Sequence, residues 1–309
     1  MTLDQKAIEQ AADRLAEGDE PPPDWGQELH PVGRDEAETA TLVLVLDALN
    51  FCFWPLPGSS APRWSVRYRG ASYDGYMALA VALRKAVESG VPLADPDYLA
   101  ALNLEQVRAI LAPAPGSQTI PLIEARLNNL REVGAALVER WDDSFARAIE
   151  AAEGSARALI AEVVSALPSF RDSAQYRGRE VRFYKRAQIL IADLHGALGG
   201  AGLGAFADLD QLTAFADYKV PQILRQFGLL QYHPALARTI RRYELIPPGD
   251  EREVEIRAAT IWAVELLRRA LVRRGRVLFA CELDWLLWNA AQTLPDDAEP
   301  YHRTLTVYY

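Results

Sequence analysis

Thr213-Ala214-Phe215-Ala216-Asp217-Tyr218-Lys219-Val220-Pro221-Gln222 opens a run in which Val220, Ile223, Leu224, Phe227 and Leu230 recur at helical spacing, with Gly228 near its end. The pattern predicts an amphipathic helix whose first turn holds Pro221, where a missing N–H costs little. Asp217 falls just before that helix, between Phe215 and Tyr218. The free N–H groups and the dipole of a helix start favour a carboxylate, so the ionised form is expected. Two readings fit: a capping acid with its aromatic neighbours in the core, or an oriented carboxylate that stabilises a developing cation.

Outward from this run the same period dominates. Helices are expected over 3–16, 38–49, 75–89, 103–111, 122–140, 144–152, 155–167, 184–198, 234–243 and 251–275; Asp95 to Leu102 contains a cap and Tyr98, and Val277 to Leu294 forms a further aromatic-rich run. Pro21-Pro22-Pro23 should end the first helix. Trp64 to Tyr68, the turn Arg69-Gly70-Ala71-Ser72 and Tyr73 read as a short β-hairpin. Val181 to Phe183 is a second candidate strand. The fold class expected is mostly α with a small β element. The expected division is a helix and linker at 1–24 and a main region at 25–309, with subdomains near 25–165 and 166–309.

The 309 residues carry 33 Lys and Arg against 42 Asp and Glu, a net charge of −9. That argues against sequence-independent binding of long nucleic acid, which needs a basic surface, but allows a single nucleotide. Cys52 and Cys281 sit in apolar surroundings without metal-ligand spacing and are read as buried thiols. No apolar signal core or bilayer-length run is evident, so a soluble cytoplasmic protein without membrane contact is expected; a monomer is expected as well. The four histidines, His30, His195, His233 and His302, are not spaced as metal ligands and read as structural. No metal and no cofactor are expected.

What remains are carboxylates among large hydrophobes: Asp47, Asp193, Asp217, Glu265 and Asp284. Asp47 and Asn50 stand in the apolar run Asp47-Ala48-Leu49-Asn50-Phe51-Cys52-Phe53-Trp54, where polar groups need partners. They mark a second candidate site, or they tie down the loop with Pro55, Pro57 and Gly58. Acids beside aromatics suit stacking and pairing with a flat amine-bearing ligand, or stabilising an oxocarbenium-like transition state. Lys185, Arg186 and Lys219 lie near such acids and could hold an anion, although a solvated helix start explains Lys185 and Arg186 as well. The arginines at 268, 269, 273, 274 and 276 read as a solvated helix end.

Taken in order, the run from Asp47 to Trp54, Val66-Arg67-Tyr68-Arg69-Gly70 with Tyr73-Asp74-Gly75-Tyr76, Pro168-Ser169-Phe170-Arg171-Asp172, Phe183 to Leu190, Phe215 to Gln222, Glu253-Val254-Glu255-Ile256-Arg257 and Tyr308-Tyr309 resemble the queuosine salvage proteins. The likeness runs from about Trp25 to Tyr309. It implies hydrolysis of queuosine 5′-phosphate to queuine and ribose 5-phosphate, on a helical fold similar to helix-hairpin-helix DNA glycosylases. It matches Asp217 to the aspartate that faces the sugar. On that implication Phe215, Trp285 and Trp288 stack on the base, Asp284, Asp47 and Asn50 meet its polar groups, and Lys185, Arg186, Lys219, His302 and Arg303 are candidates for the 5′-phosphate. The family pattern also shows tyrosine at Trp285 and usually arginine at Lys219; lysine keeps the charge but loses the fork. The alternatives are a non-enzymatic carrier of a modified base or nucleoside, a DNA glycosylase, which the negative charge disfavours, and a helical scaffold.

Overall fold

A computed structural model describes residues 1–18, 25–55, 61–295 and 297–309. Pro21-Pro22-Pro23, Pro57 and Gly58, and the roles expected of them, lie outside the described residues. The helices are α1 (Gln5–Ala16), α2 (Glu36–Ala48), α3 (Gly75–Glu88), α4 (Pro96–Ala101), α5 (Leu104–Ile110), α6 (Ile123–Arg140), α7 (Phe145–Ala151), α8 (Ala156–Ala166), α9 (Lys185–Ala197), α10 (Lys219–Gln226), α11 (Pro234–Arg241), α12 (Glu251–Val272) and α13 (Ala280–Gln292). The strands are short: β1 (Thr2–Leu3), β2 (Ser65–Tyr68), β3 (Ala71–Asp74), β4 (Ser173–Tyr176), β5 (Arg179–Arg182) and β6 (Leu230–Gln231). With 54% of the chain helical, the class is mostly α. Among the described residues no helix is long and apolar enough to cross a membrane.

The β2–β3 hairpin forms where alternation placed it, pairing Ser65 with Asp74. Two further antiparallel pairs were not anticipated. One is β4–β5: its second strand overlaps the candidate strand Val181 to Phe183, but the alternation of its first, Ser173-Ala174-Gln175-Tyr176, is only four residues long. The other joins β1 to β6 over residues far apart in sequence.

Helix α2 is the centre of the larger core. Asp35 caps it by accepting from the Glu38 N–H at 2.8 Å. Thr39 through Ala48 are buried on every side, so it has no polar face. It is surrounded by α3, α6, α7 and α9. Each fully buried Leu or Val there contributes about 1.5–3 kcal/mol of transfer free energy. A second core joins α1, α10, α12 and α13 through Ile8, Ile223, Leu224, Val264 and Leu267. Helix α1 is bound into it twice over, because Arg274 reaches Glu9 and Asp13 at 2.8 Å each and Arg273 reaches Glu9 at 2.7 Å. The arginines at the end of α12 therefore work partly as clamps on α1.

Three buried arginines fix the connections between these bodies. Arg126 spreads its guanidinium over the carbonyls of Leu49, Phe51 and Cys52, stacked on the Phe51 ring. This holds Cys52 at φ 46°, a left-handed backbone that a side chain adopts at a cost of about 1–2 kcal/mol. Arg186 binds the carbonyls of Asp47, Ala48 and Ser169. Arg257 forks onto Asp172 at 2.5 and 2.8 Å and donates from Nε to the Ala216 carbonyl at 2.9 Å.

Candidate active site

A cavity of about 290 Å³ opens between the two cores. One wall is a stripe along α9, where Lys185, Ile189 and Asp193 recur every four residues. The facing wall is α13, which turns Asp284, Trp285, Trp288, Asn289 and Gln292 inward. Phe215, Asp217, Tyr218 and Lys219 close it from the start of α10, and Trp25, His30, Asn50, Phe53 and Tyr76 from the α2–α3 side.

Asp217 sits where the sequence placed it, ahead of α10. Its Oδ1 accepts from the N–H groups of Lys219 and Val220, both at 2.8 Å. Among the described residues Oδ2 has no hydrogen-bond partner, and Asp217 lines the cavity. Capping and lining the cavity are thus compatible, because the cap uses only Oδ1. Full ionisation does not follow from the cap. Burial pushes the Asp217 carboxyl above its ordinary range, and it outweighs Lys185 and the two N–H donors.

Three more acids crowd the same interior. Asp284 accepts from the Phe215 N–H at 2.9 Å and is pushed well up by burial and then by Asp217. Asp47 lies behind Asn50, which donates to its Oδ1 at 3.1 Å, while its Oδ2 is buried without a partner. Burial raises Asp47 to about 7, against Asn50 and Lys185. Asp193 is raised well above a normal carboxyl by burial and by Asp47. Lys185 stands among Asp217, Asp47 and Asp284; burial lowers its pKa despite their attraction. Like charges this close cannot all ionise together.

Phe215, Trp285, Trp288, Asp284, Asn50, Lys185 and Lys219 all line the cavity, and Asp47 backs it through Asn50. Arg186, His302 and Arg303 do not reach it. Arg186 is spent on backbone carbonyls. His302 is fully buried against Tyr309, and burial with the nearby Arg257 lowers its pKa to about 3, so it carries no charge for an anion. Arg303 stacks on Tyr243, 4.4 Å from its ring centroid. Arg186 belongs to a run whose Lys185 and Ile189 line the cavity, whereas no residue of the run Pro300 to Arg303 does. Glu265 is on the outer side of α12, paired with Arg268 and Arg269 at 2.7 and 2.6 Å.

Sequence reasoning missed Arg63, His30, Tyr76, Trp25 and Tyr309 as lining residues. Arg63 stands near Lys219 at the mouth, half-exposed and paired with Asp74 at 2.7 Å. Lys219 donates to the Ala291 carbonyl at 3.2 Å and to Gln222 at 3.3 Å. Tyr76 is four residues into the run Tyr73-Asp74-Gly75-Tyr76, which is the one signal that could have found it.

A partly closed helical cleft with stacked aromatics, buried acids and two cations at its mouth defines a binder of one flat, nucleotide-sized molecule. The comparisons agree in kind. The profile of the queuosine salvage protein family matches residues 29–309, and the chain belongs to that family. It is 53% identical to the queuosine 5′-phosphate N-glycosylase/hydrolase of Sphaerobacter thermophilus over 99% of this chain and 92% of that protein. It is 40% identical to the mouse protein of that name, covering 91% and 85%, and 35% identical to the Schizosaccharomyces pombe one, covering 87% and 79%.

Proposed function

We propose that this chain hydrolyses the N-glycosidic bond of queuosine 5′-phosphate, releasing queuine and ribose 5-phosphate. Relatives bearing that activity in their names match nearly end to end. The observation that carries the chemistry is Asp217: a cavity-lining carboxylate with one oxygen pinned by two N–H donors and the other without a hydrogen-bond partner among the described residues. Such a carboxylate is preorganised for the positive charge that develops at C1′ as the bond to the base lengthens. Water then adds its oxygen to C1′ and loses a proton, while the departing base gains one. Queuine is a 7-deazapurine and lacks the N7 that purines protonate on leaving. Stabilisation of the sugar cation therefore bears more of the barrier. Burial raises the Asp217 pKa, and Lys185 opposes that rise, favouring the anion this task uses.

In this reading Phe215, Trp285 and Trp288 stack on the base, and Asp284 and Asn50 meet its polar edge. Lys219 and Arg63 take the 5′-phosphate at the mouth. The reading extends to a helix-hairpin-helix glycosylase-like scaffold, a single-chain enzyme and a free nucleotide substrate. Asp217→Asn keeps shape and removes charge. Queuine release, followed by chromatography, is expected to fall by about a thousandfold. Near-wild-type turnover by a folded variant would sink the assignment.

A further inference from the structure

The deepest end of the cavity contains a hydrogen-bonded chain that the proposed chemistry leaves unused. His30 Nδ1 lies 2.9 Å from the Gly26 carbonyl, and His30 Nε2 lies 2.9 Å from the Tyr76 hydroxyl. The same hydroxyl is 3.2 Å from Asp193 Oδ2. Trp25 stacks on His30 at 4.1 Å, and its buried indole N–H lies near Asp193 without forming a hydrogen bond.

The protons in this chain can be counted. A carbonyl only accepts, so His30 Nδ1 carries a proton. Tyr76 has a single proton and two neighbours. If that proton goes to His30 Nε2, then Asp193 must be the protonated acid and donate to the Tyr76 oxygen. If it goes to Asp193, then Nε2 must carry a proton and His30 is the imidazolium. The two states contain the same protons, and His30 and Asp193 together are uncharged in both. Burial lowers the His30 pKa and raises that of Asp193, so the state with both groups neutral prevails in the free protein. The charged and titratable groups facing Asp193 are Asp47 from α2, Tyr76 from α3 and Lys185 on its own helix. Asp47 disfavours its anion, and Lys185 favours it.

The cavity is electrically polarised along α9. Lys185 and Asp193 are eight residues apart in sequence, about 12 Å along a helix axis. Lys219 and Arg63 stand at the mouth, near the Asp217 end, while the described lining at the Trp25, His30, Tyr76 and Asp193 end holds no lysine or arginine; Arg84 Nη1 reaches the His30 carbonyl, at 3.1 Å, from outside that lining. The substrate named above is polarised in the same way. Its phosphate is anionic, and the substituent at position 7 of its base carries a secondary amine, protonated at neutral pH. The mouth offers the phosphate cations and the carboxyl end of the lining offers it none, so one orientation satisfies both ends.

We infer that the His30–Tyr76–Asp193 end binds a protonated amine, and that it reads the aminomethyl substituent of the base, with Asp193 ionising against the ammonium while its proton passes through Tyr76 to His30 Nε2. No proton need leave the protein. The chain acts as a specificity element that supplies a carboxylate only when a cation arrives. The assignment to this substituent rests on the function proposed above; the amine site itself does not.

Calorimetry with two free bases, 7-aminomethyl-7-deazaguanine and 7-deazaguanine, tests it. The wild type should prefer the amine by at least about tenfold. Asp193→Asn copies the neutral acid in shape and cannot ionise, so the preference should fall to about threefold or less. If that variant does not fold, Tyr76→Phe interrupts the chain with the ring retained and should reduce the preference as well. Equal affinity for the two bases in the wild type, or a preference that survives in the folded variants, overturns the inference. Base release from queuosine 5′-phosphate is measured separately. An amine preference without any release would uphold the amine site and reject the hydrolase reading.

Discussion

Replacing Arg257 with methionine removes a cation from the place where it does most. Its side chain is 2% exposed, stacked 4.0 Å from the Phe183 centroid, and bonded to Asp172, Glu253 and the Ala216 carbonyl. Methionine fills similar length and leaves Asp172 and Glu253 buried without it. Breaking a buried pair from one side costs about 3–5 kcal/mol, a large part of a total stability of about 5–15 kcal/mol. The expected fall in Tm is on the order of 10 °C. The cost should depend on pH. Burial already raises the Glu253 pKa and Arg257 restrains it. Without Arg257 the folded-state value rises further above the unfolded one, and stability is lost as pH climbs toward it. The deficit should therefore be larger at pH 8 than at pH 5. Activity should also fall, by about tenfold to a hundredfold, because the freed Ala216 carbonyl precedes Asp217 and small misplacements at a reacting centre are costly. Urea denaturation at the two pH values, with turnover of the folded fraction, measures both. A deficit below about 1 kcal/mol at pH 8, or one that ignores pH, would refute the reasoning. Arg257→Lys, which keeps charge without the fork, should recover part of the loss.

Three further outcomes follow from the same structure. Lys219→Ala combined with Arg63→Ala should erase most of the preference for queuosine 5′-phosphate over the nucleoside; an unchanged kcat/KM ratio would remove both from the phosphate site. Asp47→Asn should flatten the decline of stability between about pH 4 and pH 7, since a carboxyl raised to about 7 in the folded chain makes the protein less stable as pH rises through that window; an identical urea-stability slope in variant and wild type would contradict this. Gly134→Ala should destabilise by about 1–3 kcal/mol without altering kcat, because its methyl would lie 2.7 Å from the Pro96 carbonyl and 2.9 Å from the Ala100 Cα where α4 crosses α6; an unshifted Tm would show that the crossing yields easily.

The sequence by itself determined most of the helices, though α13 shows there only as an aromatic-rich run. Period and caps placed α2, α9, α10 and α12 to within a few residues, because local hydrogen bonding and an apolar face are both written locally. It also determined that Asp217 would stand before α10, and the family likeness was legible in the order of the motifs. Only the tertiary structure decided which neighbours share the cavity. Lys185 and Arg186 are adjacent, yet a helix turns successive side chains about 100° apart, so one reaches the cavity and the other the carbonyls beneath it. His30, Tyr76 and Asp193 meet from three distant segments, and no local signal records such a meeting. The protonation of Asp217 was likewise beyond the sequence. The cap that favours its anion is local, whereas the burial that opposes it depends on how two cores close over the site.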